Sequence, residues 1–284
     1  WMKIAGTAVG ACVVGCAAAA AAGTRRWKRE TARALRRLRA ESPEGARAAP
    51  VLFSREELAG LPAPVTRYFE YALAPEQRLV RRARLRQAGR FSMRPGRWSP
   101  FTAVEHFAVE PRGFVWDATI RAMPLCPVRV RDGYLGGEGV MRGAVAGLVP
   151  VVDQHGTPEL SSGALLRYLA ECVWLPTALL PSAGVQWSAV DDRTARATLT
   201  DGATTVSMDA HFGEGGEIAS ISAERYRDVK GTPVLTRWEG RFRDWERADG
   251  MMIPMTGEVE WASPEKTVPY WRGRIVEASY EYAG

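Results

Sequence analysis

Three histidines (His106, His155, His211) and four cysteines (Cys12, Cys16, Cys126, Cys172) are the residue types best suited to metal binding or nucleophilic chemistry. Their spacing serves neither. The cysteines show no zinc-type spacing and no two histidines stand at ligand spacing, so neither a metal nor a cofactor is expected. Asp153-Gln154-His155 followed by Ser161 contains the residue types of a hydrolytic triad, but nearness in sequence is not triad geometry, and the stretch reads as a loop leading into a helix. Glu105 and His106 are adjacent on a strand pattern, where neighbours face opposite ways and cannot act together. Gly136-Gly137-Glu138-Gly139 approaches a dinucleotide loop, but no helix follows, and it reads as a hairpin turn. Phosphate loop, nucleophile elbow and metalloprotease helix are all missing from the sequence. No catalytic residue is assigned; a hydrolase using His155 or His106 ranks third among the functional readings.

The ten tryptophans are the remaining unusual feature. Trp116, Trp174, Trp187, Trp238, Trp261 and Trp271 fall on strand or helix patterns rather than in loops, which suits either a concave apolar interior or plain aromatic packing. The candidate ligand-binding set is Trp116, Trp174, Leu175 and Trp187 as walls, with Arg129 and Arg131 meeting a polar head.

Those residues need elements to hold them. SSGALLRYLAECVWLPTALLPS, Ser161 to Ser182, is the apolar helix of the chain: Leu165, Leu166, Leu169 and Val173 recur at three- and four-residue spacing, Ser161 or Ser162 can cap it, and Pro176 stops it. A second short turn can run from Pro176 to Pro181. Burying its six or so large side chains at roughly 2 kcal/mol each is worth on the order of 10 kcal/mol. Ser54-Arg55-Glu56-Glu57 reads as a capping box, and Pro64 opens a helix through Tyr68, Phe69 and Leu73 that Pro75 ends. From Val80 the period becomes two. In Gly113 to Met123, Phe114, Trp116, Ala118 and Ile120 face one way while Val115, Asp117, Thr119 and Arg121 face the other. Asp132-Gly133, Asp201-Gly202 and Asp249-Gly250 are hairpin signals. The last sets Arg241 opposite Glu258 and Glu239 against Glu260, which is unfavourable unless an arginine lies between them. About twelve strands follow, with no interval able to form parallel crossovers. The fold class is therefore α+β, mainly antiparallel β: a strongly curved sheet or open barrel wrapped on an apolar helix.

The net charge of +6 is unevenly placed, because residues 1–49 hold ten Lys/Arg against three Asp/Glu and residues 50–284 hold 28 against 29. A nearly neutral body excludes nucleic acid as the main partner. Ile4 to Gly23 is uncharged and precedes eight basic residues, which reads as a membrane segment (residues 1–23) with a basic stop. A cleaved secretory signal and a lipoprotein anchor through Cys16, on Val13-Val14-Gly15-Cys16, compete with a retained transmembrane helix. Residues 24–50 form a basic juxtamembrane helix and linker, lying on an anionic membrane or spanning solvent, and residues 51–284 the sheet domain. The expected location is the bacterial cell membrane, on a side left open. Cys126 and Cys172 are read as two buried free thiols in preference to a disulfide.

FVWDA (Phe114 to Ala118), RVRDGYLGGEG (Arg129 to Gly139), RYLAECVWLPTALLP (Arg167 to Pro181), WEGRF (Trp238 to Phe242) and PYWRGR (Pro269 to Arg274) together resemble an uncharacterised bacterial domain family found behind N-terminal membrane segments, from about Leu58 to Tyr282. That resemblance implies no activity and carries no functional residue. The strand order with an internal helix is also similar to periplasmic lipoprotein carriers, whose half-open barrel holds acyl chains. A membrane-anchored module binding a lipid or other apolar ligand is the leading expectation, and a structural or protein-interaction domain with a solid core the alternative.

Overall fold

The computed structural model describes residues 2–40, 50–123, 126–263 and 266–284, with side chains from residue 20 to 39 in the first helix. The side chains of Cys12 and of the lipobox tetrapeptide are not described, and the linker from Ser42 to Pro50 lies outside the described residues up to its last residue. Helix α1 spans Met2–Ala40, α2 Ala63–Ala72 and α3 Pro158–Glu171. Six strands precede α3: β1 Val80–Arg94, β2 Arg97–Ala108, β3 Gly113–Ile120, β4 Val128–Leu135, β5 Glu138–Val145 and β6 Val149–His155. Seven follow it: β7 Val185–Asp191, β8 Thr194–Asp201, β9 Thr204–Phe212, β10 Ile218–Val229, β11 Thr232–Ala248, β12 Met251–Ala262 and β13 Thr267–Tyr282.

All thirteen strands form one antiparallel sheet in the order β6-β5-β4-β3-β2-β1-β13-β12-β11-β10-β9-β8-β7. Two meanders are joined where the first strand pairs with the last, Val80 opposite Tyr282 and Phe91 opposite Trp271. The sheet is unclosed, and the segment from Pro158 to Ala183 connects its two edge strands. Along that connection α3 packs against β3, β4 and β5 on one wing and β9 and β10 on the other, which requires the sheet to curve around it.

The helix itself starts earlier and ends sooner than its leucine spacing predicts. Thr157 caps it, its hydroxyl accepting from the Leu160 N–H, and Pro158 occupies the first turn, where its missing amide proton costs nothing. Ser161 is buried and accepts instead from the Gly139 N–H at 3.0 Å. After Glu171 the chain tightens into three 3₁₀ turns, Cys172–Trp174, Pro176–Leu179 and Pro181–Ala183. Leu165, Leu169, Leu175, Leu179 and Leu180 are fully enclosed.

Asp249-Gly250 makes the expected two-residue turn, with φ of 49° and 86°, and sets Arg241 opposite Glu258 and Glu239 opposite Glu260. Arg241 bonds both Glu239 and Glu260, so the like-charged pair is bridged. Asp132-Gly133 is not a turn: both lie inside β4, where a Cβ on Gly133 would sit 2.8 Å from the Phe114 carbonyl oxygen, and the chain reverses instead at Gly136-Gly137, both at positive φ. Cys172 is buried as expected, whereas Cys126 is exposed because it falls in the β3–β4 connection; both are free.

Residues 23–39 of α1 neither float free nor present all faces to a membrane, because one face is docked on the convex side of β2, β3 and β4. The Trp27 indole N–H donates to Asp117 at 2.8 Å, the Thr31 hydroxyl donates to the same carboxylate at 2.8 Å, and Leu38 packs with Ala108, Val115 and Leu135. Among the described residues no helix is long and apolar enough to cross a membrane; the run from Ile4 falls mostly where side chains are not described.

Candidate functional site

A cavity of about 410 Å³ lies between α3 and the concave face of the sheet. Its size falls in the range of about 300–1,000 Å³ usual for small-molecule sites. Trp116, Trp238, Trp261, Tyr270 and Trp271 supply most of the wall, with Phe91, Met141 and Val259 between them.

Strand geometry explains the wall. Trp116 belongs to the inward face of β3, and its ring stands 6.5 Å from Phe91 and 5.9 Å from Phe101. Trp271 lies across a strip of glycines, since a Cβ on Gly273 would meet its ring at 2.4 Å and one on Gly257 at 3.2 Å. Any larger residue there would collide with the indole. Trp261 and Tyr270 stack at 5.8 Å with 20° between planes, and the Trp238 indole N–H donates to the Tyr270 hydroxyl at 2.9 Å. The Arg225 guanidinium covers Trp238 and Trp261, at 5.3 and 5.8 Å, and donates to the Gly163 carbonyl, tying β10 to α3.

The floor is charged. Arg167, one turn after Gly163, donates to Asp132 at 2.6 Å, to Glu105 at 2.9 Å and to Glu171 at 2.9 Å, while its guanidinium lies over Phe114 and Trp116. Gln87 relays the network: its amide donates to Glu105 at 2.7 Å and its carbonyl accepts from the Trp116 indole at 2.8 Å. One guanidinium thus faces three carboxyl groups. Burial opposes the charge on Arg167, but Glu171, Glu105 and Asp132 outweigh it and hold the guanidinium charged. Burial, reinforced by Glu171, raises the Glu105 carboxyl well above the ordinary range, with Arg167 opposing. Among the described residues, the Glu171 Oε2 is buried without a hydrogen-bond partner. Asp132 lines the cavity as an acceptor.

Of the six residues expected at a ligand site, only Trp116 lines this cavity. Trp174 fills the space between the 3₁₀ turns and the sheet, packed on Phe242 and Trp271 with its indole donating to the Pro254 carbonyl. Leu175 is enclosed beside it. Trp187 packs on Phe69 and Phe212 and donates to the Leu179 carbonyl. Arg129 and Arg131 are on the other side of β4: Asp132 pairs with Trp116 and faces in, so Arg131, paired with Asp117, faces out. There Arg131 donates to the Trp27 carbonyl and Thr31 and stacks on the Trp27 ring at 4.4 Å. The histidines are also elsewhere, and none lines the cavity. His106 faces α1, opposite to Glu105, and burial, aided by Arg84 and Arg39, lowers its pKa to about 4. His155 is exposed on β6, and His211 bonds Thr194 and Ser222. Among the described residues no group of side chains could hold a metal ion.

Sequence comparison gives one decisive match: residues 51–273 fit the model of DUF6544, a family of unknown function. The chain belongs to this family. No curated protein matches. Among solved structures the DUF6544 chain is similar to a LolA superfamily protein from Nitrosomonas europaea, at 9% identity and a TM-score of 0.37, over 78% of this chain and 94% of that one. It is also similar to a β-barrel-like protein of the domain of unknown function DUF1849 from Brucella abortus, at 13% identity and a TM-score of 0.30, over 72% of this chain and 99% of that one. The overlap is loose and transfers no activity.

Proposed function

We propose that this DUF6544 chain is a membrane-anchored, non-enzymatic module whose cavity beside α3 holds a small amphipathic ligand. The observation that carries the reading is an aromatic-walled cavity of about 410 Å³ ending on a charged floor. The wall favours a flat or branched apolar body. The floor selects against a bare acyl end, because such an end offers no donor to the unpartnered Glu171 Oε2. With carboxyls outnumbering the guanidinium, it favours a ligand end that donates hydrogen bonds, an amine or a hydroxyl. Binding rather than catalysis is favoured because the cavity lining contains no histidine or cysteine and each nitrogen of Arg167 already bonds a carboxyl group. The solid-core alternative is supported by the packing around Trp174 and Leu175, and the cavity beside Trp116 supports the ligand-binding reading over it. Attachment to the membrane rests on the uncharged run Ile4 to Gly23 and its basic flank.

The test is mass spectrometry of an organic extract of the purified full chain, paired with tryptophan quenching by 2-phenylethylamine, phenylethanol and phenylacetate. A co-purifying amphiphile, and quenching that follows amine and alcohol above acid, are expected. A clean extract with no quenching by any of the three contradicts ligand binding.

A further inference from the structure

The turns after β5, β3, β1, β12 and β10 come side by side along one end of the sheet, because the strand order is sequential on both sides of the β1–β13 pair. Large apolar side chains stand exposed on this ridge: Met93 and Met123, Leu148 and Val149, Val229 and Leu235. Val149 is 61% exposed and Leu235 53%. Near the turns at the opposite end, only Leu52 and Val190 are of this class among the described residues. Arg94, Arg97, Arg121, Lys230 and Lys266 are interspersed and exposed on the ridge. Among the described residues, the acidic side chain Asp228 set among them is engaged with the Gly231 N–H at 2.9 Å.

Two further observations point the same way. The uncharged run Ile4 to Gly23 reaches the body here, since Gly23 lies against Leu148 and Gly147 so closely that a Cβ on it would meet the Leu148 side chain at 2.5 Å. The cavity lining also runs out to Met93 and Pro95 on one hairpin and to Tyr226 and Arg227 on another. Apolar tips ringed by cations suit the boundary between acyl chains and anionic headgroups, where each apolar group leaves water and each cation meets the negative surface potential.

We infer that this ridge is a bilayer-docking surface: the hairpin tips of β1–β2 and β10–β11 sink into the headgroup layer of an anionic membrane and set the cavity beside it. The inference takes its membrane from the proposed function, but not its ligand. A peripheral anchor alone would leave the body tethered in solution; the ridge would hold it down.

The experiment places an environment-sensitive nitrobenzoxadiazole label at Met93→Cys, at Val229→Cys, or, as control, at Glu214→Cys in the β9–β10 turn, in the full chain with its four native cysteines replaced by serine. Each is mixed with vesicles of phosphatidylcholine alone or with an equal part of phosphatidylglycerol, with and without nitroxide-bearing lipid. Blue-shifted emission and nitroxide quenching at 93 and 229, none at 214, and a severalfold loss of quenching with Arg94→Glu, Arg97→Glu and Lys230→Glu together or without phosphatidylglycerol, are expected. Labels at 93 and 229 that stay water-like while the protein sediments with the vesicles overturn the ridge and leave the cavity reading standing. Equal response at all three positions, or a shift that follows protein concentration without vesicles, as a second copy on the ridge would give, overturns it as well. Because quenching by the three phenyl ligands is measured without vesicles, failure of the cavity reading shows separately.

Discussion

Arg167→Met removes the one cation from a floor that keeps three carboxyls. The side chain loses three charge-assisted hydrogen bonds, at 2.6 Å to Asp132 and 2.9 Å to both Glu105 and Glu171, and leaves Glu105 fully enclosed. Breaking a buried ion network by deleting one partner costs about 3–5 kcal/mol, a large part of the roughly 5–15 kcal/mol that stabilises a domain. The loss must depend on pH. Glu105 already has a raised pKa in the folded protein, with Arg167 as the opposing influence, so the substitution raises it further. A carboxyl whose folded pKa lies above its unfolded value of about 4.3 binds its proton more tightly when folded. It therefore leaves the fold intact at low pH and weakens it as pH rises towards the folded pKa, by about 1.4 kcal/mol per pH unit for each proton retained. Urea unfolding of Arg167→Met and wild type, followed by tryptophan emission across a pH series, should show a deficit that grows rather than shrinks as pH rises and reaches about 3–5 kcal/mol above the wild-type Glu105 pKa. A deficit below about 1 kcal/mol at every pH, or one that shrinks as pH rises, would refute the buried, charge-imbalanced floor.

Gln87→Met orphans the Trp116 indole N–H and one Glu105 oxygen, and should lower stability by about 1–3 kcal/mol per group in the same unfolding assay. Gly163→Ala should raise it by about 1 kcal/mol, since a helix interior prefers alanine and the new Cβ would meet Arg225 at an ordinary 3.6 Å. Trp27→Ala should release residues 24–39 from the convex face, seen as faster amide exchange and trypsin cleavage there with the body's exchange unchanged. His106 should titrate in an NMR pH series near pH 4, with burial as the main cause; because its folded pKa lies below the unfolded value, its contribution to stability is present above about pH 6.5 and lost as pH falls towards 4.

The sheet was readable from the alternation of residues such as Phe114, Trp116, Ala118 and Ile120, and the Asp249-Gly250 turn even supplied the register of Arg241 against Glu258. The wall was half readable: Trp116, Trp238, Trp261 and Trp271 stood out by residue type. The floor did not, because Glu105 and Asp132 lie 62 and 35 residues from Arg167 and each looks like an ordinary surface charge until α3 is laid across β2 and β4. The Arg167–Glu171 pair at four-residue spacing was its one local sign. Trp174 and Trp187 misled because an indole beside leucines reads the same whether it lines a void or fills one; their hydrogen bonds to the Pro254 and Leu179 carbonyls decide for filling. The docking of α1 was invisible because the Trp27–Asp117 bond joins residues 90 apart.

Occupancy of the space between Trp116 and Trp261 is the most direct measure of the account. It is read by titrating the full chain with 2-phenylethylamine and following tryptophan emission in wild type and in Gly163→Trp, which puts an indole into the cavity, with near-UV circular dichroism confirming a folded variant. Saturable one-to-one quenching is expected in wild type, and Gly163→Trp should abolish it. Absent or unsaturable quenching in wild type, or equal quenching in the folded variant, would contradict it.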